Sequence, residues 1–75
     1  MGIDSPEVGR VGVLTHATRG PAGPGEVRIS IRGGSEIYLA WSDEPLPRDT
    51  TVLVVASRGA RALDVVTWTD PQRST

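Results

Sequence analysis

Between Glu26 and Arg32 the chain alternates without exception, Val27, Ile29 and Ile31 against Arg28, Ser30 and Arg32. A period of two sets the aliphatic side chains on one face of a strand and the polar ones on the other, so this stretch has one buried and one wet face. Gly33-Gly34 follows at once and offers the φ > 0 freedom of a two-residue hairpin turn, which predicts a return strand over Ser35–Trp41. In that return, Ile37, Leu39 and Trp41 compete with Tyr38 and Ala40 for the inner face.

The same period recurs along the chain, with Val, Ile and Thr plentiful and no Ala-Leu-Glu-Lys helical stretch. Strands are expected over Gly9–His16, Glu26–Arg32, Ser35–Trp41, Thr51–Ala56 and Arg61–Trp68. Ser57–Ala60 reads as a turn. Asp43–Asp49 reads as a loop, because Pro45 and Pro47 remove ladder donors and the acidic residues favour turns. Residues 8–68 form the expected domain, with loose tails at 1–7 and 69–75.

Five short strands in 75 residues are too few for a two-sheet sandwich of useful size. Closing them into a barrel removes the sheet edges and gathers Val11, Val13, Val27, Ile29, Ile31, Val52, Val54, Leu63 and Val65 inside. The expected fold is therefore all-β, a small five-stranded OB-fold-like barrel, with an SH3-like barrel as the structural alternative.

A chain this short has modest stability, about 3–5 kcal/mol. It contains no cysteine, which excludes disulfides and thiolate metal sites. Its net charge is −1, with eight arginines, no lysine and nine acidic residues spread along the chain, so no basic footprint for nucleic acid or anionic lipid is present. The longest apolar run, Val52–Ala56, is far short of the roughly 20 residues that cross a bilayer, and no direct membrane insertion is expected. The N-terminus has neither a secretion signal nor a myristoylation pattern, since Pro6 stands where Ser or Thr is required.

The stretch Gly20-Pro21-Ala22-Gly23-Pro24-Gly25 fits two collagen triplets, but Glu26-Val27-Arg28 breaks the repeat. As a phosphate loop it fails as well, with Glu26 in the lysine position and Val27 where a hydroxyl should reach the metal. A dinucleotide fingerprint is excluded by Arg28 in place of the third glycine. What remains is a stiff connection between strands.

His16 is the single histidine and reads as a strand-end surface residue; no metal site is expected. Ser35 lies in a hairpin turn rather than a nucleophile elbow, and the adjacent carboxylates Asp43 and Glu44 are too common a loop pattern to imply acid–base work. No catalytic residue and no cofactor are expected. Single-strand nucleic-acid binding would need aromatic platforms interleaved with positive charge, for which Arg28, Arg32, Tyr38 and Trp41 are the candidates. The competing reading has the two tryptophans covering the barrel ends and the arginines paired with Glu26 and Glu36 across the hairpin.

The order of features resembles the soluble C-terminal domain of NfeD-like proteins. The resemblance is carried by Gly9-Arg10-Val11-Gly12-Val13-Leu14-Thr15, the Pro/Gly loop, Gly25-Glu26-Val27-Arg28-Ile29, Gly33-Gly34, Tyr38-Leu39-Ala40, Val52-Leu53-Val54-Val55 and Leu63-Asp64-Val65-Val66. It covers about Val8 to Trp68. The resemblance implies an OB-like barrel that commonly follows transmembrane helices and works beside stomatin- or flotillin-type membrane scaffold proteins. It further implies a non-catalytic protein-interaction module, placed in the cytoplasm and held at the membrane by a partner or by a transmembrane segment absent here. The chain is then either an excised soluble domain or a stand-alone short member. The expected contact surfaces are the loop bearing Gly20, Pro21, Gly23, Pro24 and Gly25 and the loop bearing Pro45 and Pro47; rigid loops lose little entropy on docking.

Overall fold

In the computed structural model, which describes residues 6–69, the alternating stretches form five strands. These are β1 (Val11–His16), β2 (Gly25–Ile31), β3 (Gly34–Trp41), β4 (Thr51–Gly59) and β5 (Ala62–Thr67). They pair in the order β1-β2-β3-β5-β4 and close back on β1. Every neighbouring pair is antiparallel except β3 with β5. A parallel pair cannot be joined by a tight turn, so the chain reaches β5 from β3 by way of β4. The result is the OB-fold-like closed barrel. The expected tails at 1–7 and 69–75 lie outside the described residues apart from Pro6, Glu7 and Thr69.

Leu14, Val27, Ile29, Val52, Val54 and Leu63 are the largest fully buried side chains, joined by Tyr38, Ala40, Leu46 and Val65. Burying each of the aliphatic ones contributes about 1.5–3 kcal/mol against the entropy of ordering the chain. Within β3 the competition falls to Tyr38 and Ala40, which face inward, while Ile37 and Leu39 face solvent.

The first strand departs from expectation. Val11 and Val13 are on the outside, and Gly12 and Leu14 face the core. At Gly12 a Cβ would lie 2.7 Å from the Arg28 carbonyl oxygen and 2.9 Å from Val27 Cγ2, so β1 and β2 approach too closely there for any side chain. Placing the glycine inward sends both neighbouring valines outward. Ile31 is also outside the core proper; it is half-buried and packs against the cluster from its rim.

Two turns shift along the chain. Ile31 pairs with Gly34, so the two-residue turn is Arg32-Gly33 rather than Gly33-Gly34, and Gly33 takes the left-handed position at φ +82. The ladder of β4 with β5 continues to Gly59, past the expected end at Ala56, because two irregularities after Val54 and Ser57 let the strands keep pairing as they bend. The turn then falls on Ala60 and Arg61, both at positive φ (+51 and +59). These are unfavourable conformations for residues with a Cβ, at about 1–2 kcal/mol each.

Candidate functional site

The Gly20–Gly25 stretch is a folded loop. Gly20–Ala22 make one 3-10 turn, in which the Ala22 N–H donates to the Arg19 carbonyl (3.1 Å) and the Gly23 N–H to that of Gly20 (3.3 Å). The Arg19 N–H donates back to the Gly23 carbonyl (3.0 Å), and Pro21 sits at the start of the turn, where its missing N–H leaves nothing unpaired. Gly20 is buried at φ +61, and a Cβ there would stand 3.3 Å from both the Asp43 carbonyl oxygen and Pro45 Cδ. A Cβ on Gly25 would run into the His16 and Ala17 carbonyls. The first loop thus lies directly on the loop between β3 and β4.

Thr18 joins the two loops. It is 2% exposed. Its N–H donates to the Leu46 carbonyl (2.9 Å), and its Oγ1 accepts the Leu46 N–H (2.8 Å). The same Oγ1 stands 2.6 Å from Ser42 Oγ, which in turn donates to the Glu44 carbonyl at 2.7 Å. With the Ser42 proton so used, the Thr18 hydroxyl donates to Ser42, with the Glu44 carbonyl a longer 3.5 Å away, and no buried side-chain oxygen of this junction lacks a partner. Leu46, pinned on both backbone atoms, enters the core and closes this end of the barrel.

Both proline-bearing loops are therefore brought together as one rigid end. Pro21, Pro45 and Pro47 are exposed there, Pro24 is half-buried, and Gly20, Gly23 and Gly25 are buried in the packing that holds the loops. Thr18 and Leu46 carry this arrangement and stand out in the sequence by neither motif nor composition.

Arg28, Arg32, Tyr38 and Trp41 do not form one face. Arg28 stands opposite Ile37 on the outside of the β2–β3 ladder, whereas Tyr38, opposite Val27, points inward. The Tyr38 hydroxyl donates to Glu7 Oε2 (2.9 Å). Burial raises the Tyr38 pKa above its ordinary 10.0, the Glu7 hydrogen bond and the nearby Glu7 and Glu36 charges push it further up, and Arg61 opposes them. Arg61 lies over the tyrosine ring at 4.7 Å from its centroid and donates to Glu36 Oε1 and the Ile37 carbonyl, each at 2.9 Å. Trp41 is likewise covered, by the Arg58 guanidinium at 4.6 Å from its ring centroid, and Arg58 is held by Asp64 at 2.8 Å. Tyr38 and Trp41 thus each carry one of the protein's own arginines on a ring face.

The expected cross-hairpin ion pairs are replaced by others: Glu26 meets His16 Nδ1 (3.2 Å), and Glu36 meets Arg61. Trp41 is the last residue of β3 and half-buried, Trp68 follows the end of β5 and is exposed, and neither belongs to the buried core, of which Leu46 in the β3–β4 loop is a member. Both acids sit at the surface, where such pairs contribute about 0–1 kcal/mol.

Among the described residues no group of three or more His, Asp or Glu side chains converges as a metal site would require. Surface depressions of about 100 to 250 Å³ occur beside Leu46, beside Tyr38 and beside Val13. Each is below the 300–1,000 Å³ or so of ordinary small-molecule pockets. No helix among the described residues is long and apolar enough to cross a membrane.

A closed five-stranded barrel with one end stiffened by two interlocked loops defines a small OB-type β-barrel domain. The family model of the NfeD C-terminal domain matches residues 11–66, from the first residue of β1 almost to the end of β5. The chain belongs to that family. Comparison with curated proteins gives no match.

Proposed function

We propose that the chain is a non-catalytic interaction module that works beside stomatin- or flotillin-type membrane scaffold proteins, with the interlocked proline loops as its contact surface. The observation that carries this reading is the junction at Thr18. It holds Gly20 against Asp43 and Pro45, so the exposed Pro21, Pro45 and Pro47 are presented by backbone already fixed before any partner arrives. Docking such a surface costs little additional ordering, so a few exposed ring contacts suffice for useful affinity. Family membership supports the module itself. In this reading the module is held at the membrane by its partner or by a transmembrane segment outside these residues.

The reading is tested by titrating the chain against the soluble domain of a stomatin-type scaffold protein, in parallel with a mixed single-stranded DNA. Saturable binding to the scaffold domain, weakened at least tenfold by Pro45→Ser with Pro47→Ser in a chain whose circular dichroism spectrum shows it still folded at the assay temperature, is the expected result. Binding to the single strand alone, lost in Arg28→Ala with Arg32→Ala, would replace the interaction module with a nucleic-acid binder.

A further inference from the structure

The outer wall made by β1, β4 and β5 carries two adjacent cross-strand rows with no charged side chain in either. In one row Val11 stands opposite Leu53, and Leu53 opposite Val66. In the next, Val13 stands opposite Thr51, whose carbonyl accepts the Trp68 N–H at 3.0 Å. Val55 extends the patch along β4. Val11, Val13, Val55 and Val66 are 41–45% exposed and Trp68 is 38% exposed, values high for residues of this type lying side by side. The outer wall of β2 and β3 differs, because there Glu26 stands opposite Leu39 and Arg28 opposite Ile37.

We infer that this wall is a self-association surface, on which a second copy of the chain packs face to face about a two-fold axis. A standard interface buries about 800 Å² per partner, of which roughly two-thirds is apolar in homodimers, so it needs on the order of 500 Å² of apolar surface. A contiguous patch of this many half-exposed valines with one tryptophan is of that order, near the roughly 300–600 Å² of the largest patch on a monomer. Charge points to the same occupant. The chain carries only −1 overall, so two copies do not repel, and the patch is edged by both signs. Arg28, opposite Val13 on β2, shares one depression with Val13, Arg48 and Asp49, and Asp64, paired with Arg58, precedes Val66 on β5. A two-fold operation sets identical patches against each other and lets acids of one copy meet arginines of the next. Pro21, Pro45 and Pro47 are not in either row, so the inference stands independently of the loop surface.

The test is sedimentation velocity of the full chain across micromolar to millimolar concentration, with Trp68 emission followed on dilution in a Trp41→Phe chain, where Trp68 is the single tryptophan. The expected result is a concentration-dependent rise from 8.0 kDa toward twice that mass, with Trp68 emission shifting to the red as the dimer dissociates. Val13→Lys with Val66→Lys places like charges on both rows and is expected to weaken association at least tenfold. Both sites are on the surface, and a matching circular dichroism spectrum and melting temperature verify the fold. Should that variant unfold, Val66→Thr with Trp68→Ser takes its place, with the same loss expected. A wild-type chain that stays monomeric to millimolar concentration, or a folded variant that associates as strongly as wild type, overturns the inference.

Discussion

Replacing Thr18 by Val deletes one hydroxyl from an otherwise equally sized side chain. The site is 2% exposed, so water cannot take the hydroxyl's place without opening the loop. The Leu46 N–H, now bonded at 2.8 Å, is left without an acceptor, and Ser42 Oγ loses its neighbour at 2.6 Å. A buried donor left unpaired costs about 1–3 kcal/mol, a large share of the roughly 3–5 kcal/mol a domain of this size possesses. Taking about 2 kcal/mol, the melting temperature should fall by about 8–16 °C. Urea unfolding should show a lower midpoint with an unchanged slope, since the surface exposed on unfolding is the same. Thr18→Ser keeps the hydroxyl and loses one methyl, so its cost should stay near 1 kcal/mol. Hydrogen exchange at the Leu46 amide should accelerate in the valine variant and much less in the serine variant. A valine variant as stable as wild type, with Leu46 still protected, would refute the claim that this hydroxyl joins the two loops.

Three other perturbations probe the rest of the structure. Gly12→Ala forces a Cβ to within 2.7 Å of the Arg28 carbonyl, so β1 must move away from β2; a loss of about 1–3 kcal/mol in urea unfolding is expected, and an unchanged midpoint would contradict the close approach. Ala60→Asn puts a residue tolerant of positive φ into the β4–β5 turn and should add up to about 1 kcal/mol, measured as a rise in melting temperature. Tyr38 is the single tyrosine, so its tyrosinate absorbance reports one site, which should titrate above 10.0 in the folded chain. The native state then holds this proton more tightly than the unfolded chain does. Its contribution to stability is present in full below pH 10.0 and is lost as the pH rises through the folded-state value, and Glu7→Gln should bring the titration partway back.

How far the fold could be read from the residues depended on whether the inner positions were filled by aliphatic side chains. On β2 they were, and Val27 and Ile29 fall in the core as their alternation requires. On β1 the inner position is Gly12, which hydropathy does not register; the reason for it is the backbone of β2 across the ladder, so hydropathy alone puts the valines beside it on the wrong side. In β3 two apolar sets compete; Tyr38 and Ala40 are the buried pair, and the Tyr38 hydroxyl finds Glu7, 31 residues away, a partner that alternation does not reveal. The two proline loops were legible as loops because proline and glycine act locally. Their union was not, since it depends on Thr18 meeting Ser42 and Leu46, contacts 24 and 28 residues apart made through a residue with no motif of its own. Arg58 and Arg61 were equally invisible as covers for Trp41 and Tyr38, because the bends of β4 and the left-handed turn at Ala60 and Arg61 place them there.

The proposed function is tested most directly by a backbone amide chemical-shift titration of the labelled chain with the soluble domain of a stomatin-type scaffold protein. The account predicts saturable shifts concentrated at residues 18–25 and 42–48, where Thr18, Gly20 and Leu46 hold the proline loops together, with small changes at Arg28 and Arg32. Shifts that instead cluster on the β2–β3 hairpin, or a spectrum unchanged at saturating partner concentration, would contradict it.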